Sequence, residues 1–164
     1  MSHHEHMDHH KVEKYRRYAE KIHIFHNMEP EEVSEILHQG KILQFREGQT
    51  IFHEGMLGSN LFIVLSGAVA IKHKNHLIAK CQVGDAFGEM AVLNHGPRTA
   101  TATALEDSRC FTLEEREVNQ LLEKGVAVRL LLNVVHVLSA RLEKANAYIA
   151  DLRRRGIIEN VSID

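Results

Sequence analysis

The sequence predicts a mainly β domain flanked by helices, in the form of a sandwich, jelly roll or barrel, and three observations support this. Between residues 41 and 113, short apolar runs of strand length are cut by glycine turns at Gly48, Gly55, Gly67 and Gly84, at roughly ten-residue spacing. Within that span only GEMAVLN, residues 88–94, reads as helix, and only for a turn or two. On both sides of it the apolar residues return to spacings of three and four.

In chain order, residues 1–10 hold five of the thirteen histidines and read as a disordered polar tail. Residues 11–40 read as two helices. Val12, Tyr15, Tyr18 or Ala19, and Ile22 recur at helical spacing as far as about His26. In NMEPEEVSEILHQG, Pro30 suits a first turn, Glu31 and Glu32 suit the N-terminal dipole, and Gly40 follows the end. Residues 41–113 are the β portion, with a Lys74–Asn75 turn between His73 and His76.

The helical period resumes over 114–156, as one helix ending near Gly125 and a long one from about 126 to 155, roughly 45 Å in length. Along the long helix Leu131, Val135, Leu138, Leu142, Ala145, Ile149 and Leu152 step alternately by four and three. That is an a/d seam over three heptads, the pattern of paired helices. It predicts a homodimer through this helix, against the alternative that the stripe packs on its own β domain; the first half, apolar on more than one face, suits both. Residues 157–164 read as a tail.

Composition narrows the function. Twenty Lys plus Arg against 22 Asp plus Glu leave a formal charge of −2, which is no footprint for non-specific nucleic-acid binding. Cys81 and Cys110 lie in apolar runs, not in a CxxC pair, and read as buried thiols in a reducing compartment. The N-terminus lacks the apolar segment of a signal peptide and no run is long enough to span a bilayer, so the expected location is cytoplasmic. Nucleophile-elbow, Walker, dinucleotide and HExxH motifs are missing, and the histidines of the β portion do not form a convincing metal set. The reading is a binding domain, not an enzyme, with a jelly-roll metalloenzyme as a minor alternative.

The candidate site lies in GDAFGEMAVLNHGPRTATATA, residues 84–104. Gly84 and Gly88 permit tight turns and close approach of backbone to ligand. Arg98, stiffened by Pro97, presents a guanidinium that can grip phosphate oxygens two at a time. The backbone N–H groups of Thr99 and Ala100 add donors. Glu89 would repel a phosphate but can accept from a sugar hydroxyl. One Arg for one negative charge and one Glu for a ribose describe a cyclic nucleotide better than ATP, which would call for more positive charge or Mg²⁺. Alternatively Glu89 could cap its short helix and pair with Arg98, with no ligand involved.

FGEMAVLNHGPRTATATA resembles the phosphate-binding cassette of cyclic-nucleotide-binding domains, the modules shared by catabolite-activator-type transcription factors, regulatory subunits of cyclic-nucleotide-dependent kinases, and cyclic-nucleotide-gated channels. Phe87, Gly88, Glu89, Met90 and Ala91, then Pro97, Arg98, Thr99, Ala100 and Thr101, match its pattern. FREGQTIFHEG, LFIVLSGAVAI and VGDAFGE fall where that family has its turn glycines and strands, and the likeness covers about residues 28–150. The resemblance implies an eight-stranded β-roll with helices before it and a hinge and lid helix after it. It also implies a site of Gly88, Glu89, Met90, Ala91, Arg98, Thr99 and Ala100, in which Arg98 pairs with the cyclic phosphate and Glu89 with the ribose 2′-OH. No cofactor is implied. The ligand is cAMP by default; Thr99, directly after the Arg, also suits cGMP. Asn133, His136, Ser139 and Arg141 are candidates for the contact from lid to base. After Arg155 only GIIENVSID remains, too short for the helix-turn-helix domain of the transcription factors. The chain therefore reads as a stand-alone sensor module, or part of a longer protein, with a protein effector as a further partner.

Overall fold

The structure, a computed structural model, describes residues 8–159, with the side chain of Ala91 excepted. Helix α1 spans His9–Lys21 and begins inside the stretch read as a tail; residues 1–7 and 160–164 lie outside the described residues. The apolar period that runs on to His26 is not one helix. The chain turns extended at Ile22 and forms a 3₁₀ turn at His23–Phe25, which sends Ile22, Ile24 and Phe25 into the core together. A continuous α-helix would place Ile22 and Ile24 some 200° apart, so it could not bury both on one side. Helix α2, Pro30–Gln39, opens on its proline, carries Glu31 and Glu32 in the first turn, and buries Val33 and Ile36.

Eight strands follow: β1 Lys41–Phe45, β2 Thr50–Phe52, β3 Asn60–Ser66, β4 Val69–His73, β5 His76–Cys81, β6 Ala86–Phe87, β7 Thr101–Ala104 and β8 Ser108–Glu114. They pair antiparallel in two four-stranded sheets, ordered β1-β8-β3-β6 and β2-β7-β4-β5. Helix α3, Glu89–Asn94, interrupts them between β6 and β7. The glycines that punctuate the sequence take left-handed backbone at the turns, as at Gly67 with φ 87°, which only glycine adopts without strain. The β4–β5 hairpin closes on Lys74 and Asn75, both at positive φ, the two-residue turn whose twist matches its strands.

Two cores result, and β3 serves both. Phe62 and Val64 face the space between the sheets, with Val69, Cys81, Phe87, Ala102 and Cys110. Leu61 and Ile63 face the helices, with Phe111 and Leu113 of β8 and the apolar residues of α2 and the 3₁₀ turn. A strand buried on both faces is a continuous apolar run, which is why LFIVL is unbroken, whereas TATA on β7 puts only its alanines inside.

Helix α4, Glu115–Glu123, starts on a capping box in which Glu114 and Glu117 each accept from the other's backbone N–H. Helix α5, Ala127–Arg154, is about 42 Å long. Its Ala127, Leu130 and Val134 are buried against the domain. Arg129 donates to the Asn27 carbonyl, and Asn133 donates to the carbonyls of Ile24 and His26, tying this half to the 3₁₀ turn. Of the seven seam residues, Val135, Leu142, Ala145 and Ile149 are exposed, while Leu131, Leu138 and Leu152 are half-buried and Leu138 packs against the helix-side core. Val128, Val135, Leu142 and Ile149, seven apart, are 53%, 57%, 61% and 39% exposed, so one full-length apolar stripe is not covered by the β-roll.

Candidate functional site

Arg98 is the most informative residue of the site: it is only 5% exposed and, among the described residues, no carboxylate is bonded to its guanidinium. Its Nη1 donates to the carbonyls of Asn60, at 3.0 Å, and Gly88, at 2.9 Å. Its carbon lies 4.1 Å from the ring centre of Phe52 and 5.8 Å from that of Phe62. Carbonyl dipoles and aromatic faces thus offset part of the desolvation cost. Among the described residues the Nε–H, also buried, has no partner. Burial lowers the guanidinium's pKa from its ordinary value, and the nearby charge of Glu89 opposes that shift.

The local sequence explains the placement. Gly88, at φ 77°, ends β6 and caps α3. A Cβ there would stand 2.8 Å from Arg98 Nη1 and 3.0 Å from the Asn60 carbonyl, so glycine is required for both backbone and space. After Pro97 the main chain of Arg98 is held at both ends: its N–H donates to the Met56 carbonyl and its carbonyl accepts from Gly55, each at 2.8 Å. Rings of Phe52, Phe62 and Phe87, 5.2–6.0 Å apart between centres, form the floor beneath the guanidinium.

Glu89, the first residue of α3 and 8% exposed, does not pair with Arg98 through a hydrogen bond. Its Oε1 accepts from Arg141 Nη1 at 3.2 Å, and Arg141 Nη2 donates to the Ala86 carbonyl at 2.6 Å. Arg141 comes from the middle of α5, so the long helix reaches into the cassette. Glu89 and Arg98 share a cavity of about 220 Å³, lined also by Gly88, Met90, Thr99, Ala100 and Arg141. Its apolar wall includes Phe52, Ile71, Ile78 and Cys81. A larger cleft of about 760 Å³ adjoins it through Ile78, Ala79, Cys81 and Arg141, and runs between the 3₁₀ turn, β5 and α5. A buried cation without a carboxylate, a buried acid on the facing side and an apolar wall can hold a small monoanion with a hydroxyl beside the charge and a flat apolar group.

Of the residues singled out from sequence, Gly88, Glu89, Met90, Arg98, Thr99 and Ala100 line this cavity. Ala91 lies in α3, and its side chain is outside the described residues. The four candidates on the long helix separate. Asn133 is engaged by backbone carbonyls, His136 lines only the outer cleft, Ser139 is exposed and lines neither, and Arg141 belongs to both. The sequence reading did not identify Phe52, Ile71, Ile78, Ala79 and Cys81. Strand alternation could have found Ile71, but the register of β5 against the cassette carries no local mark. Cys81 and Cys110 are buried thiols whose pKa values burial pushes up to about 11 and about 12. Among the described residues no three His, Cys, Asp or Glu side chains converge as a metal site, and no helix is long and apolar enough to cross a membrane.

Comparison with known proteins identifies the family and the fold. Residues 42–125, just over half of the chain, match the model of the cyclic nucleotide-binding domain. The CRP-like cAMP-activated global transcriptional regulator of Mycobacterium tuberculosis is 30% identical over 136 residues, covering 79% of this chain and 59% of that protein. The crystal structure of the Thermus thermophilus catabolite activator protein superimposes with a TM-score of 0.70 at 30% identity, over 79% of this chain and 62% of that one. A cyclic nucleotide-binding domain from Methylobacillus flagellatus, at 20% identity, shares the fold with a TM-score of 0.76 over 92% of this chain and 88% of that one. The chain spans about three fifths of the length of the curated regulator it matches. With regulatory subunits of cAMP-dependent kinases and cyclic nucleotide-gated channels also among its relatives, the chain is a member of the cyclic nucleotide-binding domain family.

Proposed function

We propose that this domain is a sensor that binds a cyclic nucleotide, cAMP by default with cGMP also admitted, and passes the binding event to α5. The observation that carries the reading is Arg98, a buried cation held only by carbonyls and aromatic faces, with one N–H unpartnered. A monoanionic cyclic phosphate supplies the missing charge, with the N–H groups of Gly88, Glu89, Thr99 and Ala100 as further donors; Met90 and Ala91 complete the cassette. Glu89 Oε1 holds Arg141, and its other oxygen can accept from the ribose 2′-OH. The base extends along the apolar wall toward α5. That the Mycobacterium relative is named as cAMP-activated supports cAMP as first choice.

The output is mechanical rather than catalytic. A ligand that binds better with Arg141 on Glu89 than with it withdrawn shifts α5 between those positions. The exposed heptad stripe on the same helix supports a homodimer whose helix pairing, or contact with a protein effector, responds to that shift. Titration calorimetry with cAMP, cGMP and AMP tests the reading: cyclic nucleotides bind to wild type and at least about tenfold more weakly to Arg98→Ala. A ligand-free dimeric scaffold of the same fold is the second reading. The Glu89–Arg141 pair favours it, because the acid already has a partner inside the chain; it predicts no heat and no thermal shift with any of the three.

A further inference from the structure

We propose that Glu54 and His73, outside the cavity, are positioning residues that clasp the Arg98–Thr99 segment into its anion-binding geometry, a role that rests on the reading of Arg98 as the phosphate partner. His73 ends β4 at the turn of the β4–β5 hairpin, and Glu54 sits in the turn after β2. His73 Nδ1 lies 2.8 Å from Glu54 Oε1 and 3.2 Å from the carbonyl oxygen of Thr99. Both partners are acceptors, so Nδ1 carries the proton and shares it between them. Glu54 Oε2 accepts from the Lys74 N–H at 3.0 Å, and the Glu54 N–H donates to the Thr101 hydroxyl at 2.9 Å.

The two residues after Glu54 hold Arg98 itself. Gly55 donates to the Arg98 carbonyl and Met56 accepts from the Arg98 N–H. One continuous set of hydrogen bonds therefore runs from the hairpin turn through Glu54 to the main chain on either side of the guanidinium's Cα. Pro97 stiffens the segment from one side only; His73 is what fixes the carbonyl of Thr99 on the other. With that carbonyl held outward on His73, the peptide that follows it, which carries the Ala100 N–H, has its orientation set.

The clasp is not needed to hold the roll together. β4 already pairs with β7 over Val69–Lys72 and Thr101–Ala104, and with β5 along its whole length. The Glu54 and His73 side chains are 31% and 48% exposed, and side-chain contacts that exposed contribute little to folding. Where stability gains little, the contact acts on position.

Calorimetry with cAMP and cGMP on wild type and three variants, beside thermal melts, tests the proposal. His73→Leu removes the shared N–H. Glu54→Gln keeps the length but offers one acceptor to two donors, His73 and Lys74, so one bond of the clasp is lost. Each is expected to weaken binding about three- to tenfold, the range of one hydrogen bond, with little change in melting temperature. His73→Asn places an amide N–H where the imidazole Nδ1–H stood and is expected to regain most of the affinity. In the ligand-free protein the amide resonances of Thr99 and Ala100 shift in His73→Leu and return in His73→Asn. Wild-type affinity in His73→Leu and Glu54→Gln, while Arg98→Ala loses binding, overturns the positioning role and leaves the phosphate reading standing; so does a loss that His73→Asn does not restore. If wild type binds neither nucleotide, both fall together.

Discussion

The cassette end of the β-roll and the outer face of α5 are built on opposite rules. In the cassette, charged groups are buried: Arg98 under carbonyls and aromatic rings, Glu89 beneath Arg141. On α5, apolar groups are bare, with Val128, Val135, Leu142 and Ile149 open to solvent on one line. Each arrangement costs free energy in the isolated chain, and each names what would offset it. A buried cation without a carboxylate is completed by a small anion. A heptad stripe of aliphatic side chains is completed by another apolar helix. Arg141 joins the two regions, rooted in α5 and bonded in the cassette.

The largest expected effect breaks the cassette side alone. Arg98→Ala removes charge-assisted bonds and weakens cyclic-nucleotide binding by about 1.5–3 kcal/mol, roughly ten- to a hundredfold or more in calorimetry, without altering the oligomeric state. Gly88→Ala forces a left-handed backbone on a residue with a Cβ and drives that atom against Arg98 Nη1. A loss of about 1–3 kcal/mol in denaturant unfolding is expected, together with loss of binding. The other side is broken by Leu142→Glu, which places a charge on the bare stripe. If wild type pairs through this helix as proposed, sedimentation is expected to show a dimer for wild type and a monomer for the variant, with nucleotide affinity retained. A wild-type monomer at high concentration would end the helix-pairing proposal.

Smaller effects sharpen the comparison. Arg141→Ala leaves Glu89 buried without its ion pair and is expected to change affinity about three- to tenfold; a probe on α5 should stop responding to nucleotide. The thiols report on how dry the roll is. Burial lifts Cys81 to about 11 and Cys110 to about 12 from an ordinary 9.0, so the folded state keeps both protons to higher pH than the unfolded state does. The contribution of these thiols to folding stability is therefore constant well below pH 9.0 and falls as pH rises through that value toward about 12, measurable by denaturant titration at stepped pH. At pH 8, alkylation of either thiol is expected only after unfolding.

Much of this was legible because it is local. A turn that needs positive φ writes a glycine, so Gly48, Gly55, Gly67 and Gly84 marked the strand boundaries before any pairing was known. A strand buried on both faces writes an unbroken apolar run, and LFIVL is one. The cassette residues lie within thirteen positions of one another, close enough for one motif to hold Gly88, Glu89 and Arg98 together. The helical period in residues 11–26 misled at its end, because a 3₁₀ turn buries neighbouring apolar residues that a single helix would separate.

By itself, then, the sequence determined the strand and helix pattern, the glycine turns and the identity of the acid and base in the cassette, since each depends on neighbours a few residues away. Only the tertiary structure decided what those charges touch. That Glu89 is held by Arg141, 52 residues on, that Arg98 rests on Phe52 and Phe62, and that His73 bridges Glu54 and the Thr99 carbonyl are outcomes of sheet register and of the path of α5. Such contacts join distant parts of the chain through packing, and packing leaves no periodic mark in the residues it brings together.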